Sequence, residues 1–292
     1  MSQAAHLRQE AEALAGPLPP LLAAAEQLAA SVMTGAHGRR RVGQGDEFWQ
    51  YRPSHAGDEA RMIDWRRSAR ADEALFVREK EWQAAQSVML WLDMGQSMRF
   101  ASQPNLPTKA HEASRLALAL SVLLIRGGER VGLANIGLPA RAGQVQLMRL
   151  TAAMAEEEDS ADYAAPDLRA ASPRSRAVFV SDFMGDVSVL ERAITGAADR
   201  GINGVLLQVL DPQEEAFPFD GRTIFESVGG TLSHETLKAG DLRDRYIDRL
   251  NERKDTLRRL TKATGWQFQT HHTGQSAAAA LLWLYAALEQ VH

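Results

Sequence analysis

Two short apolar runs end in aspartate, and those acids are the residues best placed to do chemistry. Leu90-Trp91-Leu92-Asp93 continues into Met94-Gly95-Gln96-Ser97-Met98, and Val178-Phe179-Val180-Ser181 continues into Asp182-Phe183. In an open parallel sheet, ligands bind beyond the carboxyl ends of the strands, where loops of neighbouring strands face one another. A carboxylate and a hydroxyl on one tight loop, with a second carboxylate on an adjacent loop, form an oxygen cage for a hard cation such as Mg2+ or Mn2+. Asp93, Ser97 and Asp182 are the candidate metal ligands. The same residue types also hydrogen-bond turns and cap helices, so a structural role for Asp93 and Ser97 stays open.

Other constellations carry less. His271 and His272 are adjacent at the end of a strand-like run and point to opposite faces, so they do not jointly hold a metal; a solvated loop is expected. His234-Glu235 lacks the second histidine of a zinc protease helix, and Gly274-Gln275-Ser276 lacks the second glycine of a nucleophile elbow. Gly43-Gln44-Gly45 has no third glycine, and no Gly-Lys-Ser/Thr phosphate loop occurs. With no cysteine among 292 residues, thiol nucleophiles, thiolate metal sites and disulfides are excluded.

The acids need a scaffold, and the hydrophobic periodicity supplies one. Strands are expected at Ser87 to Asp93, Val131 to Ile136, Ala177 to Asp182, Gly204 to Leu210 and Trp266 to His271. Helices are expected at Leu106 to Arg126, Leu147 to Glu157, Val187 to Arg200, Asp241 to Thr264 and Ser276 to Val291. This alternation predicts a mostly parallel sheet with helices on both faces. Gly229-Gly230, between alternating segments, marks a β-hairpin inserted at about 222–238. Upstream, Ala4 to Ala15 and Leu21 to Met33 read as a helical hairpin split by Pro17, Pro19 and Pro20. In its second half Leu21, Leu22, Ala25, Leu28, Ala29 and Val32 form one apolar face, expected to pack on the main domain. Leu75 to Trp82 reads as a further strand, and Ile63 and Trp65 as two residues sharing one strand face. The division expected is an N-terminal extension over 1–85 and the α/β domain over 86–292.

A net charge of −4 argues against wholesale nucleic-acid binding, and 45% hydrophobic residues suit a globular core. Arginines cluster early, from Arg39 to Arg70, but Asp46, Glu47, Asp58, Glu59 and Asp64 lie among them, which favours internal pairing. The start lacks the basic and apolar segments of a secretory signal. The longest uncharged apolar stretch, Ala277 to Leu288, falls short of the ~20 residues that cross a bilayer. A cytoplasmic protein without a membrane span is expected.

Asp93-Met94-Gly95-Gln96-Ser97 resembles the Asp-x-Ser-x-Ser loop that opens the metal-ion-dependent adhesion site of von Willebrand factor A-like domains, and Asp182 matches the acid that closes it. The series Asp46, Glu47, Arg52, Gly57, Asp58, Arg61, Asp64, Trp65 and Arg70 is similar to the signature of the bacterial family called domain of unknown function 58. Lys109, Arg130-Val131-Gly132-Leu133 and Val180-Ser181-Asp182-Phe183 extend the likeness, which covers Gly38 to about Leu210. The resemblance implies a Rossmann-like A-type domain behind a characteristic extension, acting as a non-enzymatic adaptor beside a MoxR-type AAA+ ATPase. Two departures stand out. Gly95 replaces the first serine of the adhesion site, and Thr151 is the only threonine available for its middle loop. The adhesion site is therefore expected to be degenerate, with a cation held by Asp93, Ser97, Asp182 and waters. The alternatives are a Mg2+- or Mn2+-dependent hydrolase using the strand-end carboxylates, and nucleic-acid binding through the arginine-rich extension. The extension itself serves either as an arginine–carboxylate staple or as a partner-facing surface.

Overall fold

The computed structural model describes residues 20–35, 48–54, 63–69, 75–80, 85–155, 162–226, 233–236, 238 and 240–290. The chain divides into two compact units, one made of 1–38 with 86–292 and the other of 39–85.

The larger unit is built on a six-stranded sheet. Its strands are β3 (Ser87–Leu92), β4 (Arg130–Leu133), β5 (Leu138–Arg141), β6 (Arg176–Ser181), β7 (Asn203–Leu210) and β10 (Gln267–His272). They lie in the order β10-β7-β6-β3-β4-β5, all parallel except β5, which pairs antiparallel with β4 at one edge. Read from the β5 edge, this is the 3-2-1-4-5-6 order of a Rossmann-type sheet. The α/β, von Willebrand factor A-like architecture expected from the sequence is present. Strand β5 was not foreseen: it has four residues, contains Pro139 and follows β4 after a short turn.

Side chains alternate across the strands, and each sheet face buries its own core. On one face Val88, Leu90, Leu92, Val178, Val180, Val205, Leu207 and Val209 meet helices α3 (Lys109–Arg126), α4 (Gln144–Ala155) and α8 (Ala277–Gln290), and helix α1 (Pro20–Gly35) joins the same core through those helices. On the other, Met89, Trp91, Ala177, Phe179 and Leu206 meet helices α5 (Val187–Asp199) and α7 (Gly240–Thr264). Helix α7 is mostly charged, and its buried residues Leu250, Lys254, Leu257 and Thr261 form a single stripe at helical spacing.

Helix α1 packs against α3 and α8, with Ala25 and Ala29 fully buried. These small residues at i and i+4 let the helices approach closely. The helix therefore belongs with the sheet unit, whereas the sequence grouping placed it in the 1–85 extension. The first half of the expected helical hairpin, residues 4–15, lies outside the described residues.

The expected hairpin insertion is present as β8 (Thr223–Glu226) and β9 (Ser233–Thr236), paired antiparallel. The Gly229-Gly230 turn lies outside the described residues. In the smaller unit β1 (Phe48–Pro53) pairs antiparallel with β2 (Phe76–Lys80). Here the sequence reading needs correcting: Trp65 begins a single helical turn, α2 (Trp65–Ser68), and so shares no strand face with Ile63. Asp64 seats that turn, because its amide donates to the Phe76 carbonyl at 2.9 Å and its carbonyl accepts from Ser68 Oγ at 2.8 Å. Arg52 lies in β1, while Asp46, Glu47, Gly57, Asp58, Arg61 and Arg70 lie outside the described residues.

Across the second face the sheet is tied by three rings. Phe179 sits edge-on between Trp91 and Trp266, with ring centroids 5.3 and 5.1 Å away. Such pairs add about 0.5–1.5 kcal/mol each beyond the area they bury. Phe179→Ala is expected to cost about 3–5 kcal/mol in urea unfolding. A loss under about 1 kcal/mol would mean the ladder is too loosely packed to matter.

Candidate functional site

Strands β3 and β6 are direct neighbours in parallel register, with Leu92 opposite Val180. From β3 the chain moves to β4 on one side, and it later returns to β6 on the other. This is the switch point at which open α/β sheets form their crevice. Both strand-end acids lie at it, as the sequence predicted, and the Asp93 amide donates to the Val180 carbonyl at 2.8 Å.

Asp93 is only 2% exposed, and its carboxylate is fully engaged. Oδ1 accepts from the amides of Gly95 at 2.8 Å and Ala164 at 3.2 Å, and Oδ2 accepts from Ser181 Oγ at 2.6 Å. Burial pushes the Asp93 carboxyl above its ordinary range; the Asp182 charge acts in the same direction, against the hydrogen bonds from Ser181, Gly95 and Ala164. The second donor, Ala164, comes from a segment laid across the loop after β3. Within it the Asp162 carbonyl accepts from the Ser97 amide at 3.0 Å. This strap explains the glycine at position 95. A Cβ there would stand 2.6 Å from the Asp162 carbonyl oxygen and 2.8 Å from Asp93 Oδ1, so the serine of an adhesion-type loop does not fit.

Asp182 is 1% exposed and faces a lysine. Its Oδ1 accepts from the Met184 amide at 2.9 Å, a turn made possible by the left-handed Phe183 (φ 54°). Its Oδ2 accepts from Lys109 Nζ at 2.9 Å, and the same ammonium donates to Glu214 Oε1 at 2.6 Å. Lys109 opens α3 just after the N-cap Thr108 and is itself 1% exposed. Burial alone would lower its pKa, yet the charges of Asp182 and Glu214 outweigh that and raise it, so it remains an ammonium. Glu214 belongs to a short helix, α6 (Pro212–Ala216), fixed by a capping box with Asp211. Burial pushes the Glu214 carboxyl up, in spite of Lys109.

Sequence reasoning noted Lys109 only as a family match and missed Glu214. The Asp211-Pro212-x-Glu214 pattern directly after a buried strand was the available signal.

The remaining expected ligands are not gathered with these. Ser97 Oγ is buried without a hydrogen-bond partner among the described residues, and Thr151 Oγ1 donates within α4 to the Leu147 carbonyl at 2.8 Å. Among the described residues no group of three or more acidic or histidine side chains is arranged to hold a metal ion. The orphaned Ser97 hydroxyl suits a cation, but the rest of the donor set does not. Asp93 already accepts three hydrogen bonds, and Asp182 faces a positive charge. The residues present do not fit Mg2+ or Mn2+ while Lys109 stays in place.

Two further ion clusters line the same rim, and both correct the reading of the histidines as part of a solvated loop. His271 is 3% exposed, with Nε2 3.1 Å from Glu112 Oε1, and Arg115 lies 2.6 Å from Glu112 Oε2. His272, on the opposite face as expected, pairs with Glu215, which also pairs with Lys254. Beside His272 lies an open depression of about 600 Å³ bordered by Gln103, Leu106, Pro212, Ala216 and Thr273.

Two outcomes follow from this geometry. Asp93→Ala strands the donors of Gly95, Ala164 and Ser181 and is expected to lose several kcal/mol at about 1–3 per group, whereas Asp93→Asn keeps one acceptor oxygen for the two amides and loses less. Equal losses in chemical denaturation would show that the hydrogen bonds are not what Asp93 contributes. For Glu112, burial alone would raise the carboxyl pKa, but the hydrogen bonds from His271 and Arg115 prevail and hold it below its ordinary 4.5. A depressed folded pKa gives stability that is complete above the unfolded value and fades as pH falls through the folded one. Glu112→Gln should therefore cost about 1.5–3 kcal/mol at neutral pH. That gap should close under acid, and a pH-independent gap in unfolding curves would contradict the assignment.

The family model described as "Protein of unknown function DUF58" matches residues 50–256. An uncharacterized protein of Mycobacterium tuberculosis, Rv1480, is 27% identical over 247 residues, covering 80% of this chain and 76% of that protein. The uncharacterized protein Mb1516 of Mycobacterium bovis matches to the same extent. Among solved structures, the conserved hypothetical protein BatB from Bacteroides thetaiotaomicron aligns at 15% identity, with TM-score 0.39, over 70% of this chain and all of that one. An aerotolerance-related membrane protein from Bacteroides fragilis aligns at 14% identity, with TM-score 0.40 and the same coverage. With the family model spanning more than half of its length, this chain belongs to the DUF58 family of proteins of unknown function.

Proposed function

We propose that the chain is a protein-binding adaptor that presents the carboxyl-end rim of its sheet to a partner, a MoxR-type AAA+ ATPase by family resemblance. The observation that carries this reading is the state of the acids at the switch point. Asp93 and Asp182 are buried and saturated by internal hydrogen bonds, so neither is poised as a base or a nucleophile. What the rim offers to solvent is instead a contact surface: the depression of about 600 Å³, and the half-exposed ring of Tyr163 on the strap. A concave patch and an exposed aromatic are both features of recognition surfaces.

Among the described residues no helix is long and apolar enough to cross a membrane. The two strand-end acids, being buried, support the rim and do not touch the partner.

The test is co-purification of the full chain with a MoxR-type ATPase, comparing wild type with Tyr163→Ala and Ala216→Arg. Both positions are exposed, so folding should be unchanged by circular dichroism. The expected result is retention of the ATPase by wild type, with each variant weakening it about tenfold or more, as truncation or obstruction of a central anchor does. Undiminished retention by both variants would move the contact away from this rim.

A further inference from the structure

We propose that the Lys109 ammonium is the resident cation of the crevice, balancing Asp182 and Glu214 beside Asp93 where a divalent metal would otherwise be held, and that the native protein works without a metal there. The inference goes beyond the adaptor reading and holds whatever partner the rim binds.

Three carboxylates line the crevice: Asp93 and Asp182 just beyond adjacent strand ends, and Glu214 from α6. Lys109 Nζ sits between two of these carboxylates, 2.9 Å from Asp182 and 2.6 Å from Glu214. These are ammonium contacts, whereas Mg2+ requires oxygens at about 2.0–2.1 Å. The ammonium is not a passing surface charge. It is 1% exposed, held at the first residue of an 18-residue helix, and lies 6.0 Å from the centroid of the Phe100 ring. Three donors on a flexible stem suit it to this position.

The rest of the loop is built to match. Asp93, which would be the second anchor of a metal, has its oxygens already occupied by two backbone amides and Ser181 Oγ. Gly95 cannot carry a ligand side chain, because the Asp162 carbonyl occupies the space of its Cβ. A strap that satisfies Asp93 and a lysine that satisfies Asp182 together replace what a metal would supply. Mg2+ binding would need the buried Lys109 ammonium to withdraw from both of its carboxylate partners.

The experiment is titration of the full-length protein with Mn2+, followed by calorimetry and by the electron paramagnetic resonance of free Mn2+. Wild type, Lys109→Met and the double variant Lys109→Met with Asp182→Asn are compared. Wild type should show no saturable binding at millimolar Mn2+. Lys109→Met should bind Mn2+ at least about tenfold more tightly than wild type, and the added Asp182→Asn should abolish the gain. Where Lys109→Met is unfolded without metal, the reading becomes recovery of its circular dichroism on adding Mn2+, and Lys109→Ala, which leaves more room for a hydrated ion, is measured alongside. Saturable binding of Mn2+ by wild type would overturn the proposal. So would failure of both lysine variants to acquire Mn2+ binding or Mn2+-dependent folding.

Discussion

An ammonium group removed from water has to be compensated by charge, and the way Lys109 meets that demand organises the upper rim of this sheet. Its partners, Asp182 just after β6 and Glu214 in α6, lie 73 and 105 residues further along the chain, so the cluster can form only when the sheet is assembled in its final order. Removing one member of a buried pair typically costs about 3–5 kcal/mol, because the survivor is left charged and dry. The capping box on α6, the left-handed Phe183 and the N-terminal placement of Lys109 all serve to keep the three charges in one cluster. Beneath them, Gln208 Nε2 donates to the Asp182 carbonyl and ties the cluster to the neighbouring strand.

The loop after β3 depends on a second, complementary constraint. Asp93 lies next to Asp182 with almost no solvent, and two carboxylates so placed repel unless each has its own donors. The strap over Asp162 to Ala164 and the Ser181 hydroxyl provide those donors for Asp93. The side chain of Asn135 acts similarly one residue earlier, with Nδ2 donating to the Leu92 carbonyl and Oδ1 accepting from the Leu92 amide. The strand end is thus closed by side chains where a pairing backbone runs out. Under the proposed adaptor role this rigidity would help, since groups already fixed lose little freedom when a partner arrives.

Much of this was legible in the sequence, for physical reasons that differ from element to element. Val88 to Leu92 and Ala177 to Val180 read as buried parallel strands because they are continuously apolar, as strands covered on both faces must be. Asp93 and Asp182 could be placed together because adjacent parallel strands end at the same rim. Strand β5 was invisible, since Leu138–Arg141 is too short and too exposed to leave a pattern. Lys109 and Glu214 could not be paired from spacing, because Glu214 sits on a five-residue helix that lacks a buried face of its own. His271 looked like a loop residue because its partner Glu112 lies on α3, and only the packing of β10 beside β7 brings them together. Gly95 was read as a lost ligand. The fold gives the cause as a steric one, the Asp162 carbonyl pressed onto its α-carbon.

On the proposed reading the Lys109 ammonium, and no metal ion, balances Asp182 and Glu214 at the switch point. A crystal structure of the protein soaked in Mn2+, with anomalous data collected at the manganese edge, tests it most directly. The account predicts Lys109 Nζ between Asp182 and Glu214 and no anomalous peak in the crevice. A peak bound by Asp93, Ser97 and Asp182, with the lysine displaced toward solvent, would contradict it.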